Sequence, residues 1–422
     1  MVSRALCLVP LMAALAFAQD PGATARKAVE LLVAEKLNEL TPMMTPEMQK
    51  DLPAANLAKI LEQLKSYGAL EKIEDPQVRK VGPNTMVVVP VEYANRTLNM
   101  RFLVNSSGLL AAFVMQPGAI NWQSPSYSKP DTFTERAVTI GDDQWKLPGT
   151  LTVPKGAGPF PAVVLVHGSG PNDRDETVGA SKVFKDLAEG LASKGIVVLR
   201  YEKRSRVYGP RVEAIKNYSI GDETVEDAVR ACAVVRAQKE VDPNKVYVAG
   251  HALGGYAAPR IADEDGKLAG LIILAGNVRP LEDVVMDQLV YLGAEQSAID
   301  QAKAVQAKVK KLEPGDEDSP PLMNNPPSYW LDLKTYNPAA KAKSLGIAML
   351  ILQGERDYQV PMKDFQLWKA ELGGAKNVTL KSYPTLNHLF IAGDGKSMPA
   401  EYNKPGHVAE EVVNDIAAFV KK

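Results

Sequence analysis

Residues Lys245–Arg260 read KVYVAGHALGGYAAPR. Val246 to Ala249 form a short apolar run. Gly250, Gly254 and Gly255 follow it, and small residues such as Ala257 and Ala258 come next. A strand that bends sharply into a helix needs positions without bulk at the bend, because neighbouring Cβ atoms would meet the folded backbone. The stretch therefore predicts strand, tight turn and helix.

The same rhythm runs on both sides of it. From Phe133 onward, AVTI, LPGTLTV, PAVVLVHG, IVVLRYE, VYVAG, LAGLIILAG, IAMLILQG and NVTLKSY alternate with helical patterns such as SKVFKDLAEGLASKG and GHVAEEVVNDIAAFVKK. Near-continuous Val, Ile and Leu runs suit strands buried on both faces, so an α/β fold is expected, a mostly parallel sheet with helices on both sides. The region before it differs. ARKAVELLVAEKLNEL and ANLAKILEQLKSYG have helical spacing, and the β-rich stretch 85–118 is punctuated at Ala94-Asn95-Arg96 and Ser106-Ser107-Gly108. A small α+β unit over 19–117, a Pro- and Ser-rich linker over 118–131 and an α/β unit over 132–422 are expected.

Composition narrows the partners. The chain has 422 residues, with 49 Lys and Arg against 50 Asp and Glu, so no basic excess draws it to nucleic acid or anionic lipid. Arg4, the apolar run Ala5 to Leu15 and Ala16-Phe17-Ala18 form an export leader over 1–18, too short for a stable membrane span. Cleavage near Ala18 would make the protein periplasmic or secreted. Cys7 leaves with the leader, and Cys232 in ARACAVVRA reads as a small core residue. The four histidines have no metal-ligand spacing, and the glycine turn lacks the Gly-Lys-Ser or Gly-Lys-Thr of a phosphate loop, so no metal or cofactor is expected.

Gly250-His251-Ala252-Leu253-Gly254 resembles the Gly-x-Ser-x-Gly nucleophile elbow of the serine esterases of the α/β-hydrolase superfamily, with alanine at the serine position. Three further stretches resemble the same family. Gln353–Pro361, QGERDYQVP, is similar to its G-x-x-D-x-x-V-P turn, Tyr383–Phe390, YPTLNHLF, to the stretch that keeps its histidine, and His167–Pro171, HGSGP, to its H-G-x-G-P turn. The resemblance implies that Ala252 stands at the nucleophile position, that Asp357 orients the base His388, and that the N–H groups of Ser169 and Leu253 form an oxyanion hole. Glu355 is the weaker choice of carboxylate, and Ser169 a poor substitute nucleophile. The family also implies a helical cap in the insertion at about 277–345, where Tyr329, Trp330 and Tyr336 are candidates for lining a substrate pocket. Lys303 to Lys311 there read as a solvated helix face. Asp173-Arg174-Asp175 and LRYEKRSR are read as ion pairs bracing the site loops.

The small unit is similar in element order to the nuclear-transport-factor or cystatin-type domains that precede some exported hydrolases. It holds no histidine, and docking, homo-oligomerisation or shaping the site mouth are the roles open to it. The expected function is a carboxylic ester hydrolase for small acyl or aryl esters, acting through an acyl-enzyme in a serine form. As written, the chain should bind but not turn over. An exported serine aminopeptidase or acyl-peptide hydrolase, and a non-catalytic ligand-binding pseudo-hydrolase, are the alternatives. One missing hydroxyl in otherwise intact surroundings favours a single replacement over long drift.

Overall fold

The computed structural model describes residues 20–120 and 122–422; the leader read at 1–18, with Cys7, lies outside the described residues. Two compact units divide between Asn121 and Trp122.

In the first unit, β1 (Leu70–Ile73), β2 (Gln77–Val81), β3 (Asn84–Tyr93), β4 (Arg96–Val104) and β5 (Leu110–Ile120) form one antiparallel sheet. β3 pairs with β1 and β2 along one side and with β4 along the other. Strand β3 alternates strictly between buried and half-buried positions, so Val87, Val89, Val91 and Tyr93 all point to one face. There they meet Ala25, Ala28, Val29 and Leu32 of the helix Pro21–Val33 and Leu57, Leu61 and Leu64 of the helix Ala54–Lys65. Two shorter helices, Leu37–Leu40 and Pro46–Asp51, occupy the Pro-rich stretch between them.

The second unit carries β6 (Phe133–Ile140), β7 (Leu147–Pro154), β8 (Phe160–Val166), β9 (Thr177–Val178), β10 (Ser181–Lys182), β11 (Val197–Tyr201), β12 (Val241–His251), β13 (Gly270–Leu274), β14 (Ala348–Gly354) and β15 (Val378–Tyr383). Eight of them make one sheet in the order β15-β14-β13-β12-β8-β11-β7-β6. The six strands from β15 to β11 are parallel, and β7 and β6 are antiparallel. Both faces are covered. In β8, Ala162, Val164 and Val166 enter one core while Val163 and Leu165 enter the other, which is why an unbroken apolar run serves a parallel strand.

The insertion between β13 and β14 is helical, with helices at Leu281–Tyr291, Gln296–Lys311, Pro327–Lys334 and Pro338–Leu345. Its root is fixed by Asp364, which accepts from the Val278 and Arg279 N–H groups and from the Arg279 guanidinium. Helix Gln296–Lys311 buries only Val309. Cys232 is a buried free thiol within the helix Glu226–Arg236. Among the described residues, no helix is long and apolar enough to cross a membrane, and no three His, Cys, Asp or Glu side chains are grouped to hold a metal ion.

Candidate active site

Strand β12 ends at His251, and the helix Leu253–Asp265 begins two residues later. Ala252 makes the connection alone, at φ 49° and ψ −114°, a conformation that non-glycine residues adopt only when their surroundings enforce it. The enforcement is visible. The Ala252 N–H donates to the Leu274 carbonyl of β13 at 2.9 Å, and a Cβ on Gly254 would lie 2.2 Å from the Val166 carbonyl oxygen. The helix can thus press against the end of β8 only because Gly254 has no side chain.

Asp357 and His388 come from the loops that follow β14 and β15. His388 Nδ1 lies 2.7 Å from Asp357 Oδ2, and both side chains are buried. That carboxylate also accepts from Gln353 Nε2 at 3.0 Å, Gln359 N at 2.8 Å and Val360 N at 2.9 Å. With Nδ1 facing this carboxylate, the neutral His388 ring that donates through Nδ1–H leaves Nε2 as its acceptor nitrogen. Glu355 lies elsewhere, exposed and bonded to Ser382 Oγ at 2.7 Å.

A cavity of about 360 Å³ joins these parts, lined by Ser169, Ala252, Leu253, Asn277, Trp330 and His388 among others. Among the described residues, neither the Ser169 N–H nor the Leu253 N–H has an acceptor within the protein. The turn that carries Ser169 is held from below. Lys203 Nζ donates to the Gly168 carbonyl at 2.7 Å and to Glu223 Oε1 at 2.5 Å, and the Tyr329 hydroxyl donates to Glu223 Oε2 at 2.7 Å. Glu223 reaches this position from a π-helical turn, Gly221–Val225.

Two matches with known proteins fit this geometry. Residues 163–402 match the model of the "Alpha/beta hydrolase family", and the chain is 38% identical to Esterase EstD of Thermotoga maritima over 93% of its own length and 94% of that protein. The chain belongs to the α/β-hydrolase family. Residues 25–113 match a family described as "Protein of unknown function (DUF3887)". Among solved structures, this hydrolase is similar to Est1E from Butyrivibrio proteoclasticus, at 17% identity and TM-score 0.45 over 68% of this chain and 98% of that one. It is also similar to the Pyrococcus horikoshii acylaminoacyl peptidase, at 16% identity and TM-score 0.44 over 75% and 52%.

Of the three cap aromatics, only Trp330 lines this cavity. Tyr329 faces a neighbouring cavity, and Tyr336 a third one, where it packs edge-on against Tyr256 with ring centroids 5.1 Å apart. Tyr336 is therefore no wall of the site. Its turn of the chain leads out of the cap towards the helix Leu253–Asp265, a direction that side-chain type does not encode.

Sequence reasoning gives no signal for Glu176 and makes His251 the elbow's variable place. Both are buried and line the cavity. His251 Nδ1 is 3.0 Å from Glu176 Oε2, Glu176 Oε1 accepts from the Gly168 N–H at 2.8 Å, and His251 Nε2 is 3.0 Å from the His388 carbonyl. One buried pair thus ties together the elbow, the glycine turn and the histidine loop. The other histidine of the turn, His167, is packed between Phe184 and Tyr201, and burial, with Lys203 adding to it and Glu176 opposing, lowers its pKa to about 4.

The acid and basic stretches flanking the site are paired. Arg200 bridges Asp175 and Glu135, Arg174 Nε meets Glu202 at 2.7 Å, and Arg204 meets Asp227 at 2.6 Å.

Proposed function

We propose that this chain is built as a carboxylic ester hydrolase for small acyl or aryl esters, whose acyl-enzyme chemistry requires a serine at position 252. The observation that carries the reading is the ordered pair His388–Asp357 opening into the cavity that Ala252 lines in elbow conformation. The 38% identity to Esterase EstD supports it.

In the serine form, His388 Nε2 takes the hydroxyl proton as the oxygen attacks the acyl carbon. The Ser169 and Leu253 N–H groups receive the charge on the carbonyl oxygen. His388 then gives that proton to the departing alkoxide, which leaves the acyl group on the introduced serine oxygen. Water, deprotonated by the same nitrogen, releases the acid and restores the hydroxyl. Asp357 keeps the ring in the working tautomer throughout. With alanine at 252 no acyl bond can form, and loss of a triad serine costs on the order of a millionfold in turnover while binding survives.

The test is release of p-nitrophenol from acetate, butyrate and octanoate esters by the chain and its Ala252→Ser variant. The variant is expected to be at least about a thousandfold faster, and Asp357→Asn in that background to lose about 10⁴-fold in kcat. Absence of hydrolysis above background in both forms would leave a ligand-binding protein. Turnover of aminoacyl p-nitroanilides in preference to esters would leave a peptidase. Export through the leader at 1–18 belongs to the same proposal, and N-terminal sequencing of the protein recovered outside the cytoplasm tests it.

A further inference from the structure

Beside the cavity that Ala252 and His388 share lies a second one, of about 680 Å³, and the two meet at Ser169, Leu281 and Asn325. Ser169 is the residue whose N–H points to the oxyanion in the proposed mechanism, so the second cavity begins where the substrate carbonyl would sit. Part of its wall is apolar and aromatic. Val212 and Ile215 are apolar, and Tyr218 and Tyr329 stand stacked with ring centroids 5.8 Å apart and planes 14° from parallel. Away from Ser169, Asn324 and Asn325, its polar groups are Glu223, already held by Lys203 and Tyr329, and Ser205, whose buried hydroxyl has no hydrogen-bond partner among the described residues.

Which side of an ester this space serves follows from where the proton must go. The leaving alkoxide takes its proton from His388, so the alcohol lies on the histidine side of the carbonyl. His388, Leu389, Gln359 and Val360 line the first cavity, and among the described residues none of them lines the second. The group placed in the second cavity is the one that stays on the enzyme after the alcohol has gone.

We infer that the second cavity is an acyl chamber, and that the substrates are esters of arylalkanoic acids with the aromatic ring received between the apolar wall and the tyrosines. This rests on the ester-hydrolase reading above and narrows its substrate class. Ile215 is part of the chamber's apolar wall, and Ser205 offers its hydroxyl to a polar substituent on the ring.

Two isomeric esters separate the sides: methyl 4-phenylbutanoate carries its ring on the acyl group, and 3-phenylpropyl acetate on the alcohol. Because the chain with Ala252 should hold an ester without cutting it, their dissociation constants can be measured at equilibrium by calorimetry. Ile215→Trp, which fills the chamber, is expected to raise the Kd of the phenylbutanoate relative to that of the acetate by at least about tenfold. Ile215→Ala, a milder change at a half-buried position, is expected to shift the ratio the opposite way. Equal effects on both isomers, an effect on the acetate alone, or no change with either variant would overturn the chamber. If that happens while Ala252→Ser still turns over p-nitrophenyl acetate, the ester-hydrolase reading stands without it. If no ester is bound or cut by any form, both fall.

Discussion

Glu176 Oε2 stands 3.0 Å from His251 Nδ1, and both side chains are sealed from solvent beside the elbow that Ala252 forms. Burial alone would raise the Glu176 carboxyl, yet the charge of His251 beside it holds it below its ordinary 4.5. Burial alone would likewise lower His251, and Glu176 outweighs it, so the ring titrates above its ordinary 6.5. The depressed carboxyl contributes stability that is complete above pH 4.5 and fades as pH falls through its folded value. The raised imidazole contributes stability that is complete below pH 6.5 and fades as pH rises through its folded value. Between those limits the pair is charged on both sides. Glu176→Gln, which leaves the histidine unpaired, is expected to cost about 3–5 kcal/mol there and less on either side. Chemical denaturation across pH checks this, and a cost independent of pH would contradict the ion pair.

His167 works in the opposite sense. Its pKa is lowered to about 4 by burial, so the folded chain keeps it neutral while the unfolded chain binds a proton from about pH 6.5 downward. Its contribution is intact above 6.5 and is lost between 6.5 and about 4, amounting to about 3 kcal/mol in all. A His167→Gln variant is expected to show a flatter decline of unfolding free energy over that range. An unchanged slope would mean that the ring is protonated in the fold.

At φ 49° the Ala252 methyl group sits on strained backbone. Ala252→Gly should relieve the strain, and after the greater flexibility of glycine in the unfolded state is subtracted, a gain of about 1 kcal/mol is expected. Ala252→Ser should leave stability within about 0.5 kcal/mol. Urea midpoints of the three proteins measure both, and a glycine variant less stable than the parent would show the turn to be unstrained.

Lys203 and Glu223 are both buried, 2.5 Å apart. Lys203→Met strands a carboxylate and Glu223→Gln strands an ammonium, and each is expected to cost about 3–5 kcal/mol. The double variant should cost less than the two single costs together, by at least about 1.5 kcal/mol, because the second change removes the charge that the first left unpaired. Strict additivity would mean that the contact supplies no coupling.

The site's framework could be read in the chain because its residues are local to short stretches. A glycine-flanked turn after an apolar strand, a carboxylate three residues after Gly354 and a histidine after the last strand each declare themselves within about ten positions. What escaped depends on distance along the chain. Glu176 meets His251 from 75 residues away and stands in a polar loop of mixed charge, where nothing separates it from Asp173 or Asp175. Tyr329, Trp330 and Tyr336 look alike as cap aromatics. Only the docking of successive helical turns sends one to the first cavity, one to the second and one to neither. The burial of β8 on both faces was legible for the opposite reason, since such a strand leaves its mark on nearly every residue of its apolar run.

The strained turn at Ala252 is kept in place by neighbours that do not depend on what the side chain carries: the Leu274 carbonyl, the bare Gly254 and the end of β8. Every alanine codon differs from a serine codon in a single base. The hydroxyl that the proposed chemistry requires is therefore one base change away, at a turn whose shape does not depend on the side chain it carries, and the two sequences are neighbours in mutation as well as in shape.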